Sequence, residues 1–115
     1  MPTVPMPSEK LVTKLSRRLV GEEDVRQGSM FGCPAWFVGR RLFVCVYGEV
    51  VGLKLPAPVV SELEHAPGFI PFQPMGKPRM REWIAIEDAA LLERGAIGER
   101  LLRDAVAFAR KGARP

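Results

Sequence analysis

The chain has 115 residues, 47% hydrophobic and 26% charged, and its 17 Lys and Arg against 13 Asp and Glu leave a formal net charge of +4. That length suits one domain burying about two-thirds of its unfolded surface, which needs no metal or disulfide staple. No apolar run approaches the roughly 20 residues of a membrane span, and Met1-Pro2-Thr3-Val4-Pro5-Met6-Pro7 lacks the cationic start and apolar stretch of a signal peptide, so a cytoplasmic protein without membrane contact is expected. The modest positive balance permits an anionic partner without requiring one.

Residues 1–7, punctuated by proline, read as a flexible N-terminal tail, and residues 8–115 as a single domain. Ser8 is a credible N-cap with Glu9 in the first turn, and Leu11, Val12, Leu15 and Leu19 recur at helical spacing until Gly21, predicting a helix over 8–20. After Glu22-Glu23-Asp24, residues 29–38, 41–47 and 50–55 read as three strands joined by tight turns at Gly39-Arg40 and Gly48-Glu49. Pro58 suits the first turn of a short helix carrying Val59, Val60 and Leu63, which stops near Pro67-Gly68. Residues 69–73 and 80–86 read as two further strands with Met75-Gly76-Lys77-Pro78 looping between them. Asp88 then caps a brief turn ending at Gly95. A last helix from about 97 to 111 carries Leu101, Leu102, Ala105, Phe108 and Ala109 on one side. The order α-β-β-β-α-β-β-α predicts an α+β domain, an antiparallel five-stranded sheet with flanking helices.

A two-residue turn at Gly39-Arg40 sets Val38 opposite Arg41 and Cys33 opposite Val46. One face of the hairpin then carries Phe31, Cys33, Ala35 and Phe37 with Leu42, Val44 and Val46. The other carries Met30, Pro34, Trp36 and Val38 with Phe43, Cys45 and Tyr47, and is also largely apolar. Two accounts fit this: helices wrap round to bury part of both faces, or Trp36, Phe43 and Tyr47 anchor a homodimer or protein-partner interface. The same register sends Cys33 and Cys45 to opposite faces, so both are expected reduced and unbridged.

Chemistry-bearing constellations are sparse. His65 is the only histidine, no CxxC or HxxxH spacing occurs, and no Gly-x-Ser-x-Gly elbow surrounds a serine, so neither a catalytic set nor a metal or other cofactor is expected. The cations Arg40, Arg41, Lys77, Arg79 and Arg81 form a candidate anion-binding set. In a strand, Arg79 and Arg81 would project from one face, where they could hold a phosphate, discourage edge pairing or pair with Glu82, Glu87 or Glu49. Without a DNA- or RNA-reading motif beside them, only weak nucleic-acid binding is expected.

Met30-Phe31-Gly32, Gly39, Lys54, Met75-Gly76, Pro78 and Glu82-Trp83 follow one another in an order that resembles the TfoX/Sxy N-terminal-domain family over roughly residues 25–110. The resemblance implies the same α+β fold and a stand-alone, non-catalytic domain, since the family's regulators usually carry a second helical domain after this one and the sequence ends at Pro115. By association it implies a role in bacterial competence or related transcription. The matching residues stand as a family signature of turn glycines, core apolars and strand ends. A weaker resemblance, to MmcQ/YjbR-type domains, implies a similar architecture.

Overall fold

The computed structural model describes residues 4–113. Ser8 caps α1 (Glu9–Leu19), its hydroxyl accepting from the Leu11 N–H at 3.3 Å, and Leu11, Leu15 and Leu19 bury one stripe of that helix. The strands that follow are β1 (Val25–Met30), β2 (Cys33–Val38), β3 (Arg41–Tyr47) and β4 (Val50–Lys54). Next come α2 (Ala57–Leu63), β5 (Phe69–Pro71), a 3-10 turn at Pro74–Gly76, β6 (Trp83–Ile86), a second 3-10 turn at Ala89–Leu92, and α3 (Ile97–Ala113). Of the expected tail, residues 1–3 lie outside the described residues. Residues 4–7 form neither helix nor strand, but the Ser8 N–H donates to the Gly48 carbonyl at 2.9 Å, and a Cβ on Gly48 would stand 3.2 Å from Pro5.

The domain is α+β with one antiparallel sheet, as expected, but the sheet has six strands in the order β1-β2-β3-β4-β6-β5. The stretch read as one strand over 29–38 is a hairpin: the chain turns at Phe31-Gly32, and residues 25–28 are strand as well. β1 is an edge strand with no buried residue, so it lacks the apolar alternation by which a half-buried strand is recognised. The stretch read as a strand over 80–86 pairs only from Trp83 onward, so Arg79 and Arg81 belong to the preceding loop.

A β-bulge decides which side chains face which way. Val38 pairs with Arg41 and Phe37 with Leu42 as expected, but Trp36 pairs with Val44 and Ala35 with Cys45, leaving Phe43 as the extra residue. Beyond the bulge every β3 side chain is on the opposite face from the one simple alternation assigns.

Trp36, Val38, Phe43, Val44 and Val46 therefore join Val51, Leu53, Ile84 and Ile86 in the main core, against Leu11, Leu15 and Leu19, Val60 and Leu63, and Leu101, Leu102, Ala105, Val106 and Ala109. All three helices cover that face. Val106 is buried in α3, whereas Phe108 is only half-buried. Trp36 at 2% exposure and Phe43 at 0% are core residues, which corrects their expected place as interface anchors; Tyr47 lies half-buried on the other face.

Ion pairs tie the helices to their surroundings. Arg110 forks onto Asp24 (Nε to Oδ2 and Nη2 to Oδ1, both 2.7 Å) and reaches Glu22 Oε2 at 2.7 Å, which pins α3 to the connector between α1 and β1. The hydrogen bond from Arg110 holds the Asp24 carboxyl below its ordinary range. Because the cluster is exposed, its contribution to stability is small. Among the described residues, no helix is long and apolar enough to cross a membrane.

Candidate binding pocket

The sheet face away from the helices is covered by the loop over residues 72–82. Register explains why it can be. Gly28 pairs with Ala35, Ala35 with Cys45, Cys45 with Gly52, and Gly52 with Ala85, so a row of small residues crosses five strands. Aromatic rings lie over this row. A Cβ at Gly28 would stand 3.1 Å from Phe37, and one at Gly52 would stand 2.9–3.1 Å from three atoms of the Phe72 ring. Tyr47 meets Phe72 edge-on, with centroids 6.1 Å apart at 85°, and Trp83 packs on it at 5.5 Å and 35°. These contacts fasten the loop to the sheet as a second, smaller core.

Between the loop and the sheet lies a cavity of about 120 Å³. The sheet supplies Met30, Cys33, Leu42, Cys45 and Tyr47; the β1–β2 turn supplies Phe31; the loop supplies Phe72, Pro74, Lys77 and Met80, and β6 supplies Trp83. Two turns carry lining residues, Phe31 in the first and Pro74 and Lys77 on either side of the second. Phe31 has φ 55° and Gly32 φ 78°, while Met75 has φ 54° and Gly76 φ 73°. Phe31 and Met75 are the two non-glycine residues with positive φ among the described residues, in a region that costs an ordinary side chain about 1–2 kcal/mol. The Met75 N–H donates to Tyr47 Oη at 2.8 Å. The Lys77 ammonium sits 4.3 Å from the centroid of the Phe31 ring, joining the two turns. Phe31 is 46% exposed.

Both thiols line this cavity, a correction to their expected placement on opposite faces: the bulge at Phe43 turns Cys45 onto the face of Cys33. They are nonetheless unbridged and buried. Burial pushes the Cys45 thiol up to about 12, with nearby Cys33 adding to the rise, and burial raises Cys33 as well. Thiols so raised are protonated at neutral pH and make poor nucleophiles. Because the folded state holds the Cys45 proton more tightly than the unfolded chain, its contribution to stability is complete below the ordinary value of 9.0 and is lost as pH climbs from there toward 12. Cys45→Ala should therefore flatten the alkaline fall of Tm relative to wild type. Parallel curves for the two proteins above pH 9 would show that the thiol is not held in an apolar site.

The expected anion-binding cations do not form one site. Arg40 is exposed at the β2–β3 turn, and Arg41 tucks beside Gly112 of α3, with its Nε buried and unpartnered among the described residues. Lys77 stands at the other end of β2, roughly 20 Å away for a strand of this length. Arg79 is bridged to Glu64, and Arg81 is exposed without an ion pair among the described residues. His65 is exposed just after α2. Among the described residues, no three His, Cys, Asp or Glu side chains gather as a metal cluster would require. A second hollow of about 890 Å³ beside α1 is an open trough containing Lys10, Lys14 and Arg17 together with Glu9, Glu49 and Glu87, charges of both signs that favour neither anion nor cation.

Met30, Leu42, Phe72 and Met80, and the meeting of the two thiols, escape a residue-by-residue reading of the sequence. One signal pointed there: Gly52 in the middle of an apolar strand marks a close approach by another group, which turns out to be Phe72.

The fold is that of a small α+β domain whose antiparallel sheet has helices on one face and a loop-roofed apolar cavity on the other. No family model, curated protein or solved structure matches the chain.

Proposed function

We propose that the chain is a non-catalytic interaction module of the TfoX N-terminal-domain kind, which acts through a protein partner by receiving an apolar group at the cavity mouth. One observation carries this: of the two non-glycine residues held at positive φ among the described residues, Phe31 lines the cavity and Met75 sits in the turn between its lining residues Pro74 and Lys77. A turn such as Phe31-Gly32 is most readily formed by Asn-Gly. An aromatic ring there is strained and nearly half exposed, and strain retained at a surface cleft points to use of that cleft. Part of the family signature lies here, since Met30, Phe31 and Trp83 line the cavity and Met75 and Gly76 sit between its lining residues Pro74 and Lys77, whereas Gly39 is at the other end of β2. A regulatory role would then be exerted by the partner engaged.

Weak nucleic-acid binding is the lesser reading, favoured by the exposed Arg40 and Arg81 and disfavoured by the distance between the Arg40 turn and Lys77 and by the Arg79–Glu64 pair. Capture from the native cell separates the two. A partner retained by wild type and by the Arg40→Ala, Arg81→Ala double variant, but lost with Phe31→Asn, supports the module. Equal retention by Phe31→Asn would sink it, and recovery of nucleic acid that depends on Arg40 and Arg81 would favour the alternative.

A further inference from the structure

We infer that the group received by this cavity is a small apolar acid: a benzene-sized body inside, with a single carboxylate at Lys77. This rests on the proposal that the cavity is a receiving site, and adds what it receives.

Size sets the first limit. At about 120 Å³ the cavity is below the roughly 300 Å³ at which pockets begin to take drug-sized ligands, and close to the roughly 150 Å³ apolar cavity that takes benzene. Nucleotides and flavins are excluded on volume alone. One phenyl ring or one branched alkyl group fits.

Chemistry sets the second. Apart from Lys77, the Tyr47 hydroxyl and the Trp83 indole N–H, all of them donors, the side chains around the cavity are apolar or thiol. Lys77 is exposed, and among the described residues no carboxylate pairs with it; it rests instead over the Phe31 ring. Its charge is thus free to meet an anion while the ring holds it in place. Tyr47 Oη accepts the Met75 N–H, and its own O–H proton has no acceptor among the described residues. A carboxylate at the rim would stay partly hydrated, avoiding the cost of burying a charge, while the apolar body displaces water from the interior. Both thiols are buried and protonated, so they place no negative charge beside it. A cationic ligand would be repelled by Lys77, and a neutral one gains nothing from it.

Such an acid has two sources, a free small molecule or the C-terminal residue of another chain, and four probes distinguish them. Phenylacetate, phenylacetamide, toluene and N-acetylphenylalanine are titrated into the protein while the methyl resonances of Met30 and Met80 are followed by NMR. Phenylacetate should bind on the order of tenfold more tightly than phenylacetamide. Lys77→Met should remove that preference, Lys77→Arg should retain it, and added salt should weaken it. N-acetylphenylalanine binding as well as phenylacetate supports a chain terminus; its exclusion while phenylacetate binds supports a free acid. Equal binding of acid and amide in both wild type and Lys77→Met would overturn the carboxylate inference and leave the apolar receiving site standing. Failure of toluene and every other probe to shift either methionine would remove the receiving site itself.

Discussion

Trp36→Arg should unfold the domain. The indole is 2% exposed in the core between the sheet and the helices, and no charged or polar residue is buried with it among the described residues. Truncating a buried tryptophan typically costs about 3–5 kcal/mol, and a domain of this size has roughly 5–15 kcal/mol in all. An arginine there adds an unpaired charge in an apolar setting, which costs more than the lost packing alone. Circular dichroism should show no cooperative melt under conditions where wild type is folded. A folded Trp36→Arg protein of reduced oligomeric state would contradict the burial and restore Trp36 as an interface anchor.

Phe72→Ala should cost about 3–5 kcal/mol as well, but by a different route. Phe72 is 5% exposed and fills the space above Gly52 between Tyr47 and Trp83, so its loss removes the contact that fastens residues 72–82 to the sheet. The Met75 amide, bonded to Tyr47 Oη, should then lose its protection from hydrogen exchange while amides of β3 and β4 keep theirs, and Trp83 emission should shift to the red. Gly52→Val should displace the same ring from beneath. Since both changes act on one contact, their costs should not add. A Phe72→Ala protein within 1 kcal/mol of wild type by urea titration, well under the ~3–5 kcal/mol expected, would mean that the loop is held by something else.

Much of this fold was legible. The leucine spacing of α1, the capping serine, the glycine turns at 39 and 48 and the helix from residue 97 all follow from local rules that the tertiary structure leaves intact. Two features were not. β1 is read poorly because an exposed edge strand has no apolar face to betray it, and because Phe31 occupies a turn position where asparagine would have announced a hairpin. The bulge was invisible because it depends on how Phe43 packs against the helices, a tertiary preference with no local sign. That single inserted residue turned Val44 and Val46 toward Trp36 and Phe43 on the face the helices cover, and brought both thiols to the other. Met75-Gly76 and Lys77 drew notice in the sequence as a basic loop; their contacts with Tyr47 and Phe31 beside a cavity depend on residues distant in the chain.

The strained aromatic at the cavity mouth is the centre of the account, and Phe31→Asn tests it with two numbers from one protein. Asparagine tolerates positive φ where phenylalanine is strained by about 1–2 kcal/mol, so Tm should hold or rise despite the lost contact with Lys77. Toluene binding, followed at the Met30 and Met80 methyls, should weaken severalfold. A variant that is less stable than wild type, or one that binds toluene as well as wild type does, would contradict the claim that Phe31 is kept in a costly conformation to receive an apolar group.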